Sequence, residues 1–236
     1  MSYLYLKKET KSKSRRQKIL SKILFGIGIL FFLSAALPIV SFQLGYSAKF
    51  KQIIDPLSIE SYDRSSSILG DMTTDYSQLS NWFVDDPKLN PDSKILSGNN
   101  QTTYYISIPK LNIKDAIVTL GSMDLKKSLI QYPQTALPGQ LGNAVVFGHS
   151  VLPQFFSPKS YLTIFATLYK LEPGDEIIVN FDKSTYKYVV DEMYEVQPTD
   201  LSVLEQRFDT KNLTLITCSP PGTTLRRLVV KTELAL

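Results

Sequence analysis

The chain holds one cysteine and one histidine, and each stands inside a short run that presents it. Cys218 closes Thr214-Leu-Ile-Thr-Cys218, a β-rich stretch broken at once by Ser219, Pro220, Pro221 and Gly222. His149 ends Asn143-Ala-Val-Val-Phe-Gly-His149, a second β-rich stretch with a glycine directly before the imidazole. Arg226 and Arg227 open an apolar run eight residues beyond the cysteine. A thiol, an imidazole and a guanidinium at strand ends are the parts of a thiol transferase. A thiolate attacks an amide carbonyl, and the acyl-thioester that results is open to an amine. In that chemistry Cys218 is the nucleophile, while His149 protonates the departing amine and later deprotonates the incoming one. Arginine stays protonated at any working pH and suits a developing oxyanion or a substrate backbone. Alternation along the strand puts Arg226 and Arg227 on opposite faces, so periodicity alone leaves the choice between them open.

The competing reading of Cys218 is a small buried core residue. A lone cysteine excludes an internal disulfide and marks a thiol worth testing for reactivity. A zinc site built on one histidine and one cysteine would need carboxylates for most of its ligation. No metal and no cofactor are therefore expected.

The elements that position these residues begin near Thr102, where the texture turns β-rich. Strands are expected over Thr103–Ile108, Ala116–Leu120, Asn143–Phe147, Glu176–Phe181, Thr185–Val196, Leu213–Thr217 and Leu228–Leu234. Short helices are expected over Ser160–Tyr169 and Asp200–Gln206; in the first, Leu162, Phe165 and Leu168 form a core stripe. Seven or more strands in a segment of this length imply a mainly β fold, a closed or nearly closed barrel over residues 101–236.

Upstream lie three further segments. Residues 1–22 carry eight Lys or Arg against one acid, Glu9, and residues 23–42 carry no charge at all. Twenty residues at about 1.5 Å rise span a hydrocarbon core of about 30 Å, so 23–42 is expected to be a transmembrane anchor. The basic flank places the N-terminus in the cytoplasm and the rest outside the cell. A cleaved signal peptide is the alternative, with Ser34-Ala-Ala36 resembling a small-residue cleavage site. Residues 43–100 are polar with scattered prolines and read as an extracellular stem, with a short helix around Thr74 to Phe83 packing on the following domain. Without the tail, 18 bases stand against 21 acids, which offers no surface for nucleic acid.

Residues 103–236 resemble the sortases, membrane-anchored cysteine transpeptidases of Gram-positive and related bacteria. The likeness rests on Tyr105-Ile-Ser-Ile-Pro-Lys-Leu111 as first strand and on Tyr132-Pro133, Pro138-Gly139 and Gly142 to His149 as approach to the histidine. It continues through Leu171 with Gly174-Asp175, Thr214 to Cys218 as nucleophile motif and Arg227-Leu-Val-Val230 as arginine strand. The resemblance implies a sortase-like barrel of about eight strands with Cys218, His149 and Arg227 as catalytic residues. It selects Arg227 because the family's arginine directly precedes the apolar run, leaving Arg226 as a solvated edge charge. It also implies a C-terminal Leu-Pro-x-Thr-Gly sorting signal on surface proteins as substrate. The acceptor would be a cell-wall peptide amine or a pilin lysine. Thr217, Ala116, Val118, Val196 and Leu201 are the candidates for substrate contact. The calcium site of some relatives has no mapped counterpart here. The sequence stops at Leu236 without a second span, and Lys88 follows Asp86-Pro87 where a pilin-polymerising relative's lid carries an aromatic residue. Both departures favour general surface-protein anchoring over pilus polymerisation. A membrane-tethered cysteine hydrolase and a catalytically silent binding barrel are the readings from other classes.

Overall fold

The computed structural model describes residues 15–49, Leu79, Trp82 and 102–235. They fall into two units, divided between Lys49 and Phe50.

In the first unit, α1 runs Arg15–Lys49 and continues beyond the charge-free stretch at both ends. The part from Gln17 to Tyr46 is long and apolar enough to cross a membrane. The hydroxyls of Ser34 and Ser41 donate to the carbonyls of Phe31 and Pro38 of their own helix, so neither demands water. Pro38 lies inside the helix.

The second unit is a closed barrel of eight strands in the order β1-β2-β3-β4-β7-β8-β6-β5. The strands are β1 Thr103–Ile108, β2 Ile113–Leu120, β3 Leu129–Gln131 and β4 Gly142–Phe147. They continue with β5 Glu176–Phe181, β6 Ser184–Val196, β7 Lys211–Ser219 and β8 Arg226–Leu234. Pairing is parallel between β2 and β3 and between β4 and β7, and antiparallel elsewhere. β1 against β5 closes the ring.

Alternation sorts the side chains into two apolar bodies. Tyr104, Ile106, Val118, Ala144, Val146, Leu215, Leu228 and Val230 fill the barrel interior. Val145, Phe147, Ile216, Cys218 and Val229 point the other way, to the outer face of β4, β7 and β8. That outer face is covered too, by Leu79, Trp82, Leu125 and Val203. Strands buried on both sides read as continuous apolar runs, which is why Asn143–Phe147 and Leu213–Thr217 show no polar alternation.

The expected helices over Ser160–Tyr169 and Asp200–Gln206 are absent, replaced by turns with 3-10 segments at Leu168–Lys170 and Leu201–Leu204. In the first, the Thr163 hydroxyl bonds Ser157 on both its amide and carbonyl, and Phe165 N donates to His149 O at 2.9 Å. Amides that an α-helix would direct four residues back are committed elsewhere, and i to i−3 bonds remain, such as Ala166 N to Thr163 O. In the second, Asp200 accepts from Ser202 N and fixes a single tight turn. β3 goes beyond the expected strands. Of the expected stem beyond α1, only Leu79 and Trp82 are described, so the helix around Thr74 to Phe83 lies otherwise outside the described residues.

Candidate functional site

β4 and β7 run parallel with Phe147 opposite Ile216. His149 and Cys218 each follow two residues later, so both arrive at one end of the barrel on the outer face. Gly148 N continues the ladder to Ile216 O at 3.1 Å. β8 adds the third group, since Arg227 is the register partner of Cys218 on one side and of Val196 on the other. Arg227 shares the outer face with Val229, while Leu228 and Val230 enter the core.

Side-chain bonds clasp the two strand ends together. Thr217 Oγ1 donates to Gly148 O at 2.7 Å, and Ser150 Oγ donates to Cys218 O at 3.0 Å. The residue before the thiol thus holds the residue before the imidazole, and the residue after the imidazole holds the thiol's own carbonyl. Phe165 N, bonded to His149 O, fixes the same loop from behind. Gly148 is required there, because a Cβ would come within 2.4 Å of the Phe165 ring and 2.6 Å of Leu129.

Arg227 is only 2% exposed. Its Nη1 donates to the carbonyls of Thr224 and Arg226, each at 3.1 Å, and its Nη2 donates to Trp82 O at 2.9 Å. The guanidinium also lies over the Trp82 ring, 5.0 Å from its centroid. Trp82 is fully buried, edge-on to Phe147 at 5.5 Å and tilted against His149 at 6.4 Å between ring centroids. Its backbone amide donates to Leu79 O, and Leu79 N donates to Met123 O, both at 3.0 Å. An indole from upstream of the barrel therefore sits between the imidazole and the guanidinium, and its carbonyl takes one of the arginine's donors.

Cys218 is 4% exposed beneath this cover. Burial pushes its thiol above the ordinary range, and the nearby positive charge of Arg227 opposes that only in part. Burial in this arrangement therefore disfavours the thiolate.

The other sequence candidates divide by face. Val196 packs against the cluster that contains Cys218. Ala116 and Val118 are corrected: both belong to the interior cluster, because β2, past its irregular start, turns Ala116 and Val118 inward and Ile117 outward. Leu201 is 42% exposed at the start of its turn, and Val203, two residues on, is the one that covers the face. Thr217 is buried with its hydroxyl committed to Gly148. Arg226 is not a bare edge charge; it faces the Glu195 carboxylate at 3.9 Å, and that carboxylate also accepts a short bond from the Ser219 hydroxyl. Among the described residues no group of three or more His, Cys, Asp or Glu is placed to hold a metal ion.

Sequence reasoning did not assign Trp82 or Ser150 to the site. Trp82, the only tryptophan, opens the short apolar cluster Trp82-Phe-Val84 within an otherwise polar stretch, and that was its signal. Ser150 offers none beyond adjacency to the histidine.

Comparison with known proteins agrees with this fold. The sortase domain family profile matches residues 106–235. Sortase A of Staphylococcus aureus is 29% identical over 143 residues, 56% of this chain and 63% of that protein. Sortase A of Listeria monocytogenes is 34% identical over 71 residues, 30% of this chain and 32% of that one. The chain thus spans less than two thirds of the length of these curated relatives. Among solved structures, the pilus-related sortase C of Group B Streptococcus superposes with a TM-score of 0.51 at 28% identity, covering 59% of this chain and 70% of that one. Sortase C-1 of Actinomyces oris gives 0.50 at 28% identity, over 56% of this chain and 73% of that one. Fold and family profile coincide: this chain belongs to the sortase family.

Proposed function

We propose that this protein is a membrane-anchored cysteine transpeptidase that cleaves an LPxTG-type sorting signal and transfers the surface protein to an amine of the cell wall. The observation that carries the reading is the meeting of Cys218, His149 and Arg227 at one barrel end, through the β4–β7 and β7–β8 registers.

The chemistry follows from the groups. The Cys218 thiolate attacks the threonine carbonyl of the signal, and Arg227 donates to the oxygen that gains charge. The threonine–glycine bond breaks as His149 passes its proton to the departing glycine amine. An acceptor amine then attacks the thioester, gives its proton to His149 and releases the Cys218 thiolate. Val196 and Val203, on the face with Cys218, are suited to the apolar residues of the signal. In this reading α1 is the anchor, with the basic residues before its apolar part in the cytoplasm and the barrel outside. A pilin lysine is the second acceptor considered, since a pilus-related sortase C is among the structures similar to this chain.

The test uses the full chain in detergent with an LPxTG peptide library, with and without an amine, read by mass spectrometry. A product ending at threonine and joined to the amine is expected, absent in Cys218→Ala and His149→Ala. Hydrolysis alone at high amine concentration would turn the reading into a protease, and turnover by either variant would refute the mechanism.

A further inference from the structure

β3 is three residues long, whereas its neighbour β4 is six. β3 pairs only Ile130 with Phe147 and Gln131 with Val146. The start of β4 therefore has no strand on that side, and its backbone groups need other partners. At Asn143 one side chain supplies both. Gln206 Oε1 accepts from Asn143 N at 3.0 Å, and Gln206 Nε2 donates to Asn143 O at 2.9 Å. The carboxamide reproduces the two-way pairing of a strand residue.

The same amide holds two further segments. Its oxygen accepts from Ala136 N at 3.3 Å, and its nitrogen donates to Leu204 O at 3.1 Å. Leu204 ends the 3-10 turn Leu201–Leu204, whose last carbonyls lack partners within the turn. Asn143 Nδ2 reaches the neighbouring Val203 O at 3.5 Å, and Thr214 Oγ1 secures Asn143 Oδ1 at 2.8 Å. Gln206 is half-buried while its neighbours Glu205, Arg207, Phe208 and Asp209 are all exposed. Beneath this loop lies a cavity of about 260 Å³ lined by Asn143, Ser202, Val203, Glu205 and Thr214 among others. That pocket opens to solvent and is lined largely by polar and charged side chains, so it offers the loop little apolar packing on that side. Hydrogen bonds hold it instead.

We infer that Gln206 is a positioning residue for the substrate groove: its carboxamide completes β4 in place of the missing length of β3 and clamps the Leu201–Leu204 turn, so that Val203 is held over the face carrying Cys218. This rests on the transpeptidase reading for what the groove binds. Gln206 lies in an exposed loop and bonds only backbone of β4 and of loops, so its effect falls on substrate affinity and not on the chemical step.

The test compares the full chain in detergent with Gln206→Leu and Gln206→Glu, using a cleavable sorting-signal peptide. Gln206→Leu keeps the bulk and removes all four bonds; KM is expected to rise about tenfold with kcat within about twofold. Amide exchange at Ala136 and Asn143, the two donors to Gln206, is expected to quicken. In Gln206→Glu the carboxylate only accepts, so the bonds given to Asn143 O and Leu204 O are lost at neutral pH. Protonation restores one donor, so its KM relative to wild type is expected to fall toward one as the pH drops toward about 4, and taking the ratio cancels titration of the site itself. KM within twofold of wild type in both variants, or a loss confined to kcat, would overturn the inference while leaving the transpeptidase reading intact. A wild-type chain that cleaves no sorting peptide would overturn the reading, and the groove role with it.

Discussion

Replacing Trp82 with alanine is the perturbation that speaks most directly to how the site works. A buried indole removes about 200 Å² from water, worth about 5 kcal/mol at about 25 cal/mol per Å². An open segment keeps some of that burial, which reduces the loss to about 3–4 kcal/mol. The Trp82 carbonyl that accepts from Arg227 survives the substitution, so the charge-assisted bond of about 1.5–3 kcal/mol is retained. The constant for closing over the site should therefore fall by about two to three orders of magnitude. The gain in activity is capped by how closed the native protein is, because apparent affinity is intrinsic affinity scaled by the open fraction.

The assay pairs kcat/KM for a sorting peptide with the rate of Cys218 alkylation on the full chain. Both should rise by about tenfold or more in Trp82→Ala if the native site is closed at least about nine-tenths of the time. The pH at which alkylation accelerates should also move down. Burial is the larger cause of the raised thiol pKa and is relieved on opening, while the lowering influence of Arg227 remains. Trp82→Phe, with a smaller ring, should fall between. Unchanged alkylation and unchanged kcat/KM would refute the occlusion argument. A fall in kcat/KM at constant alkylation would assign Trp82 to substrate contact instead.

Arg227→Ala should lower kcat about 10²–10³-fold, the scale of losing a donor to a developing oxyanion, whereas Arg226→Ala should cost less than about tenfold; equal losses in steady-state rates would undo the assignment. Ser150→Ala frees the Cys218 carbonyl from the histidine loop and should lower kcat about tenfold with KM unchanged; a pure KM effect would contradict the clasp. The Tyr104 hydroxyl is buried without a hydrogen-bond partner among the described residues, so Tyr104→Phe should stabilise the barrel by about 1 kcal/mol in denaturant titration. Burial raises that phenol well above its ordinary 10.0, with Tyr188 adding to it. The unfolded chain loses this proton near pH 10 while the folded one keeps it, so stability present below that pH declines above it. The Phe variant should decline less, and parallel alkaline curves would refute the cause.

The strand ends that bring Cys218, His149 and Arg227 to one end of the barrel, and most of the strands themselves, were legible because both signals are local. A glycine before an imidazole, a proline pair after a thiol and β-branched runs all fall within one element. β3 was not, since three buried residues are too few to show a period. The stretch Ser160–Tyr169 carries helical spacing, yet Thr163 and Phe165 take partners at Ser157 and His149 that only the folded chain supplies. The groove was misread at Ala116 and Val118 for a related reason. Alternation says that neighbours on β2 face opposite ways but not which way is in, and that is fixed by closure of the ring. Trp82 was the least legible, because its partners Phe147, His149 and Arg227 come from strands far along the chain.

The parallel pairing of β4 with β7 has a consequence in time. Gly148 and Thr217, which clasp the two ends, are 69 residues apart. Such a contact requires a long loop to close and forms late relative to hairpins. β8, wedged between β7 and β6, is made after both and supplies the guanidinium. A growing chain therefore presents its imidazole first, its thiol next and its arginine afterwards; the β7–β8 hairpin sets Cys218 beside Arg227 locally, whereas His149 joins them only through the long-range pairing of β4 with β7. If the three groups act as proposed, the site stays incomplete until β8, the last strand made, has joined β7 and β6.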